Sequence, residues 1–242
     1  MVTEGGWKPK RSLDRESRRA KAAKIATLIE LRRPLKGAQL LEIGTGGGII
    51  TSLLAEHVGP EGKVCSVDVD DLRTVKDGYE FALVEGVELP YGDDSFDIVV
   101  SNHTIEHVGG PDRQLVHLRE IARVLRDDGV GYLASPSRWA LVEPHFKVPM
   151  LSWLPPSARD RALQASRRGK VYDISPRTRA ELLSLVEEAG LTATDATLDA
   201  LRVVAGVEQG PVTRLAAATP DRLLQAARPA IPTMVFLLAH PH

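Results

Sequence analysis

The sequence predicts an α/β fold, a mostly parallel sheet covered by helices on both faces. Short apolar runs alternate with stretches of helical periodicity over most of the 242 residues, the pattern of strands buried between layers of crossover helices. In addition, Leu40-Leu41-Glu42-Ile43 runs directly into Gly44-Thr45-Gly46-Gly47-Gly48, an apolar strand feeding a glycine loop that opens a helix. With 43% hydrophobic and 26% charged residues, the chain has enough apolar side chain for one full core.

Taken in order, a helical pattern covers residues 17–32. Strand patterns follow at 39–43, 63–68, 79–84, 96–101, 130–134, in part of 191–204, and at 233–239, which makes seven. Further helices are expected at 49–57, 114–125, 178–189 and 220–227. The 178–189 helix has the best punctuation: Ser175 and Pro176 precede it, Thr178 and Glu181 have capping-box spacing, and Gly190 follows its end. Two stretches break the alternation. About ten residues join the strands ending at 68 and starting at 79, near the minimum for a parallel crossover, so a helix there is very short or missing. Residues 136–156 hold five of the sixteen prolines and two of the three tryptophans. That is the composition of a long shaped loop after the fifth strand, and such loops commonly form the walls of a substrate pocket. The expected organisation is a basic helical segment over 1–35 packing on the core, then one domain over 36–242 with a substrate-capping loop at about 136–175.

A formal net charge of -1 supplies no global field toward nucleic acid or an anionic membrane. Locally, Lys8, Lys10, Arg11, Arg15, Arg18, Arg19, Lys21 and Lys24 face only Asp14 and Glu16. They read either as a solvated helix face or as an arm attracting an acidic substrate or lipid headgroup. The single cysteine, Cys65, sits in a strand pattern and excludes an internal disulfide and a thiolate metal cluster. The N-terminus is charged, which predicts no signal peptide, and the longest clean apolar run, 234–239, is too short to cross a bilayer. A cytoplasmic protein is the expectation.

The glycine loop poses a choice of ligand. A dinucleotide fingerprint wants glycine at the first, third and sixth positions, but the sixth position from Gly44 is Ile49. Glu42, two residues before Gly44, would repel a pyrophosphate and can receive a cationic amino group. S-adenosylmethionine carries such a group and no phosphate. The second strand ends at Asp68, where a carboxylate can accept from both ribose hydroxyls, and the third leads into Glu85-Gly86 and Leu89-Pro90-Tyr91. Ser95-Phe96-Asp97 opens the fourth strand, Ser101-Asn102-His103 closes it, and Glu120, Arg123-Val124-Leu125 and Asp128-Gly129 follow.

Over roughly residues 36–136 these motifs, in this order, make the chain resemble the class I S-adenosylmethionine-dependent methyltransferases, specifically the small-molecule group with Leu-Pro-aromatic, Ser-Phe-Asp and Glu-His-Val sequences. The resemblance implies a Rossmann-like, seven-stranded, mostly parallel sheet with its last strand antiparallel. It also implies a cofactor set. Glu42 would bind the methionine amino group, Gly44 and Gly46 would let the backbone approach with Thr45 between them, and Asp68 would hold the ribose with Val69 beside it. Glu85 would meet the adenine amino group, the Gly86 amide the adenine ring, and backbone near Asn102 the methionine end. The short link after Asp68 departs from the family and leaves one side of the adenine pocket less covered.

His103-Thr104-Ile105-Glu106-His107 also matches the His-x-x-Glu-His pattern of inverted zinc peptidases. That reading is set aside, because the segment follows the fourth strand of a sheet in which Glu-His-Val belongs to the resemblance. On a helix, His103, Glu106 and His107 would share one face at i, i+3 and i+4. The ubiquinone-biosynthesis and small-RNA 2′-O-methyltransferases look similar there, with a Glu-x-x-Glu-His divalent-metal site, and His145 would be a fourth ligand. Such a set favours zinc, iron or manganese over magnesium. Catalytic or substrate-binding histidines without metal, and purely structural ones, are the alternatives.

For an oxygen acceptor a histidine is the natural base. His145 is the first choice because its loop should close over the pocket, with Glu143 orienting it and His103 and His107 as rivals. Trp139, Phe146 and Trp153 read as apolar walls or as packing within the loop. The expected function is O-methylation of a small metabolite or sugar-containing lipid by in-line transfer, yielding S-adenosylhomocysteine. The alternatives are a divalent-metal-assisted enzyme and a non-catalytic S-adenosylmethionine-binding protein; a nicotinamide oxidoreductase is disfavoured by Glu42 and Ile49. The expected partners are a small-molecule or lipid-linked substrate, no nucleic acid, weak membrane-surface contact at most, and a monomer or homodimer.

Overall fold

In the computed structural model, residues 15–207, 219–228 and 231–241 are described. Helix α1 (Arg15–Glu30) leads into β1 (Gln39–Ile43), α2 (Ile49–Val58), β2 (Lys63–Asp68), β3 (Glu80–Leu83) and β4 (Phe96–Asn102). A 3-10 turn (Ile105–His107), α3 (Pro111–Val124) and β5 (Leu125–Pro136) follow, then a second 3-10 turn (Leu151–Trp153) and α4 (Pro156–Ala165). The chain ends with α5 (Arg179–Glu188), β6 (Thr192–Asp195), α6 (Thr197–Val207), α7 (Asp221–Ala227) and β7 (Thr233–Ala239). The sheet order is β3-β2-β1-β4-β5-β7-β6. Neighbours from β3 to β5 are parallel, and β7 runs antiparallel to both β5 and β6. This is the Rossmann-like seven-stranded sheet with its last strand reversed.

Alternation along the strands builds two cores. Leu40, Val64, Ile98, Val100, Tyr132 and Leu237 face α1, α2 and α6, while Leu41, Cys65, Val99, Leu133, Phe236 and Leu238 face α3 and α5. Successive residues point to opposite faces, so a strand buried on both sides is largely apolar, with Glu42, Ser66 and Ser101 as buried polar exceptions in β1, β2 and β4. Helix α1 places Ala22, Ile25, Ala26 and Ile29 in the first core, the i, i+3, i+4, i+7 stripe of an amphipathic helix. Lys8, Lys10, Arg11 and Asp14 of the basic run lie outside the described residues.

The elements differ from expectation in several places, β5 among them, which spans Leu125–Pro136 against an expected 130–134. The 191–204 strand pattern yields only four strand residues before α6 begins, because Asp195 Oδ1 accepts the Thr197 amide (2.8 Å) and turns the chain. Helix α4 lies within the stretch expected to be loop, and its first residue is Pro156 at a position where proline starts helices well. The helix expected at residues 114–125 begins earlier, at Pro111, for the same reason.

The link between β2 and β3 contains no helix. Instead it folds back on the glycine loop: the Thr74 and Val75 amides both donate to the Gly47 carbonyl (3.0 and 3.1 Å), joined by Thr74 Oγ1 (3.1 Å). The α5 capping box is complete, with the Thr178 and Glu181 side chains each accepting the other's amide.

Candidate active site

Order β3-β2-β1-β4-β5 reverses chain direction of growth between β1 and β4, so a crevice opens at their carboxyl ends, the usual ligand position in such sheets. Glu42 lies opposite Ser66 of β2 and Val100 of β4. Its side chain is 2% exposed and accepts a hydrogen bond from Thr51 Oγ1 of α2. Burial pushes its carboxyl up to about 7, with the nearby Asp68 charge adding to the rise and Thr51 and Arg18 opposing it. A buried carboxylate with so little compensation is poised to receive a cation.

The glycines divide by role. A Cβ on Gly44 would collide with Thr104 Oγ1, which donates to the Ile43 carbonyl (2.9 Å), and one on Gly48 would collide with the Val75 carbonyl and the Tyr79 hydroxyl. Both glycines are therefore required by the protein's own packing. A Cβ on Gly46, at φ +52°, would meet no atom within 4 Å. The open side of the loop is at Gly46, and its amide donates to Asp68 Oδ2 (2.8 Å). Asp68 Oδ1 accepts the Val69 amide (2.7 Å). Thr45 is buried with its hydroxyl on the Val67 carbonyl (3.1 Å), so it holds the loop to β2.

Beyond Asp68, Val69, Leu72 and Leu83 leave apolar surface exposed at or just past the carboxyl ends of β2 and β3. Glu85 is exposed and Gly86 half-buried, its Cα facing the Arg113 guanidinium of α3. Arg113 had no signal in the sequence, since an arginine at the start of an amphipathic helix is ordinary. Other quoted motif residues serve the scaffold. Arg123 forms a paired contact with Glu120 (2.7 Å to each oxygen) and donates to the Leu89 and Tyr91 carbonyls, which fastens the Leu89-Pro90-Tyr91 turn. Asp97 sits near the amino end of β4, held by Arg33 (2.6 Å), Arg126 (2.7 Å) and the Gln39 amide (2.7 Å).

The histidines gather on the other side of the crevice, but not on one helical face. Ile105–His107 is a single 3-10 turn, and His103 precedes it at φ +58°, a conformation that costs a non-glycine residue of order 1 kcal/mol. The expected i, i+3, i+4 face is therefore absent. His103 Nδ1 still reaches Glu106 Oε1 (3.2 Å). His145 arrives from the loop after β5, its Nδ1 3.0 Å from Glu143 Oε1 and its Nε2 3.4 Å from Glu106 Oε1 and 3.3 Å from His107 Nε2. The cluster whose ligand atoms lie within 4.8 Å of one another is His103, Glu106 and His145, with His145 in the place expected for His107.

Two buried carboxylates thus frame one imidazole. Glu143 is held by the Phe146 amide (2.5 Å) as well as by His145. Burial alone would raise the Glu106 carboxyl, but the His103 hydrogen bond and the adjoining His107 and His145 rings outweigh it and hold it below the usual range. The turn is stitched to the segment before α5: Gln114 donates to the Ile105 and Ser175 carbonyls (3.1 and 2.9 Å) and accepts from Arg177 Nε (2.6 Å), while the Ser175 amide donates to the Glu106 carbonyl (2.8 Å). Asn102 ends β4 half-buried beside this turn. Trp139 and Trp153 pair edge to face at 5.8 Å on the surface, whereas Phe146 is buried with Leu151, Leu163 and Ile174 in a small core of the loop itself.

Fold and crevice define a Rossmann-like ligand-binding domain. Residues 41–133, the segment from β1 into β5 that carries Glu42, Gly46 and Asp68, match the methyltransferase domain family. The nocamycin O-methyltransferase of Saccharothrix syringae is 31% identical over 196 residues, 75% of this chain and 63% of that protein. The ubiquinone biosynthesis O-methyltransferase of Caulobacter vibrioides is 29% identical over 143 residues, 53% of this chain and 54% of that one. The chain thus spans less than two thirds of these relatives' length. Among solved structures, an S-adenosylmethionine-dependent methyltransferase from Mesorhizobium loti superimposes with a TM-score of 0.59 at 13% identity, covering 90% of this chain and 99% of that one; the likeness is one of fold. No helix among the described residues is long and apolar enough to cross a membrane.

Proposed function

We propose that this chain transfers a methyl group from S-adenosylmethionine to an oxygen of a small or lipid-linked acceptor, with His145 as general base. The observation that carries the reading is the Glu143–His145 pair, fixed on a loop beside the crevice that Glu42, Gly46 and Asp68 line. Those three residues suit the cofactor: Gly46 leaves a space that a Cβ would fill, Asp68 presents a carboxylate at a strand end, and Glu42 is a buried acid short of a counter-charge. Glu42 would take the amino group, Asp68 the ribose, and Val69, Glu85 and Gly86 the adenine side, with Asn102 backbone near the methionine end. When bound, the cofactor supplies a methyl group on a sulfonium, which is already a good leaving group. The O-methyltransferase names of both relatives support an oxygen acceptor.

The protein's own work is orientation and proton transfer. With Nδ1–H donated to Glu143, His145 presents a lone pair at Nε2. There it takes the acceptor hydroxyl proton as the oxygen becomes nucleophilic, and the Glu143 carboxylate stabilises the imidazolium formed. Glu106, paired to His103, adds a second negative charge 3.4 Å from the same nitrogen. Asp68→Ala is the direct test of the cofactor edge. Loss of charge-assisted hydrogen bonds should weaken S-adenosylhomocysteine binding about 10- to 100-fold in calorimetry, and an unchanged affinity would remove Asp68 from the ribose site.

One observation favours a second reading, a divalent cation held by His103, Glu106 and His145. Glu106 Oε2 is buried without a hydrogen-bond partner, in a group already close enough to share an ion. Elemental analysis of protein purified without chelator should then give near one zinc, iron or manganese per chain, lost in both His103→Ala and His145→Ala. Metal-free protein that takes up none on titration disposes of it.

A further inference from the structure

The loop over residues 136–175 presents a face that neither core needs. It has its own small core of Phe146, Leu151, Leu163 and Ile174, yet Trp139, Leu141, Val142, Met150 and Trp153 remain between 41% and 55% exposed. They are neighbours in space. The Trp139 and Trp153 rings lie 5.8 Å apart, the Met150 amide donates to the Leu141 carbonyl (2.9 Å), and Val142 bridges Pro149 across the same short hairpin. Trp139, Leu141, Met150 and Trp153 clustered on one short hairpin and its flanks exceed the scattered exposure normal for a soluble surface and mark an interaction site.

Charge identifies the partner. Residues 136–175 contain seven Lys or Arg and three Asp or Glu, a net of +4 within a chain whose total is -1. One of the three acids, Glu143, is buried. Lys147 stands at the tip of the hairpin whose base carries Leu141 and Met150, and Arg168 donates from the neighbouring turn to the Lys147 carbonyl (2.5 Å), so the exposed turn of Arg167, Arg168 and Lys170 packs on that tip. Tryptophan and long aliphatic side chains beside a ring of cations suit the interface of an anionic bilayer, where indoles settle at headgroup depth and the cations meet lipid phosphates.

We propose that this face docks on an anionic membrane surface through Trp139, Leu141, Met150 and Trp153, with Lys147 and Lys170 meeting the headgroups. Since the same hairpin carries His145 between Leu141 and Met150, docking sets the candidate site at the lipid boundary. The proposal does not rest on the assignment of His145 as base.

Flotation with phosphatidylglycerol vesicles and with neutral phosphatidylcholine vesicles tests it, on the full chain. Wild type should float with the anionic vesicles and not with the neutral ones at low salt. Lys147→Ala/Lys170→Ala should lose about thirtyfold in partitioning, and Leu141→Ser/Met150→Ser should lose binding at all salt concentrations, both with unchanged circular dichroism. If the apolar variant fails to fold, the lysine variant decides. No flotation of wild type, or flotation indifferent to either variant, overturns the proposal. So does a concentration-dependent dimer that Leu141→Ser/Met150→Ser dissolves, since the face would then belong to a second copy of the chain.

Discussion

Glu42→Gln is expected to make the cofactor-free protein more stable above neutral pH while removing its affinity for S-adenosylmethionine. The Glu42 carboxyl titrates at about 7 in the folded chain against 4.5 for the unperturbed group. Because the folded value is the higher one, the protonated form favours the native state. That contribution is complete below the unfolded value and is lost as pH rises through 7. The difference corresponds to roughly 3 kcal/mol at pH 8, and glutamine, uncharged at any pH, escapes it while still accepting from Thr51. Urea unfolding at pH 5 and pH 8 should show the wild type losing stability across that interval and the variant nearly level. A cation placed beside Glu42 reverses the balance, so cofactor binding should release a proton near neutrality and weaken about tenfold per pH unit below 7. Calorimetry in buffers of different ionisation enthalpy reads that proton. A wild type with a flat pH profile, or a variant that binds as tightly as wild type, would remove Glu42 from the amino-group site.

Much of this arrangement is legible in the sequence because it is one-dimensional. Strands β1, β2, β4 and β7 are apolar on both faces and fall where their runs fall. Asp68 lies at the end of β2, and Glu42 lies within β1 two residues before the loop's first glycine. Helix α4 buries only Leu163, so it leaves no periodic stripe to read, and its opening proline looks like a breaker. Helix α6 carries Val203 and Val204 beside Ala200 and Leu201, a run that reads equally as strand until its packing against α1 decides. The glycines show the same limit. Gly44, Gly46 and Gly48 look alike in sequence, and only the positions of Thr104 and Val75 separate the two that packing requires from the one that opens on the crevice. His103 and His107 suggested a shared face because their spacing is helical, but the chain makes a single 3-10 turn there. His145 reaches the cluster from another loop, a contact that no local spacing encodes.

His145→Ala is expected to lower kcat by about 10²- to 10⁴-fold, the usual worth of a positioned base, with S-adenosylhomocysteine affinity unchanged. Alone, that loss does not distinguish a base from a metal ligand, and Glu143 supplies the distinction. Glu143→Gln keeps an acceptor for the Phe146 amide but removes the charge that stabilises an imidazolium. If His145 is the base, the variant should show a reduced kcat at similar KM and activity indifferent to chelator, because the imidazolium formed on proton transfer has lost its anion. If instead His145 holds a cation with His103 and Glu106, Glu143 acts only on ligand orientation, and metal affinity should fall about 10- to 100-fold. His103→Ala completes the comparison: as a bystander to the base it should leave most of the rate, whereas as a ligand it should cost as much as His145→Ala and cost it through the metal.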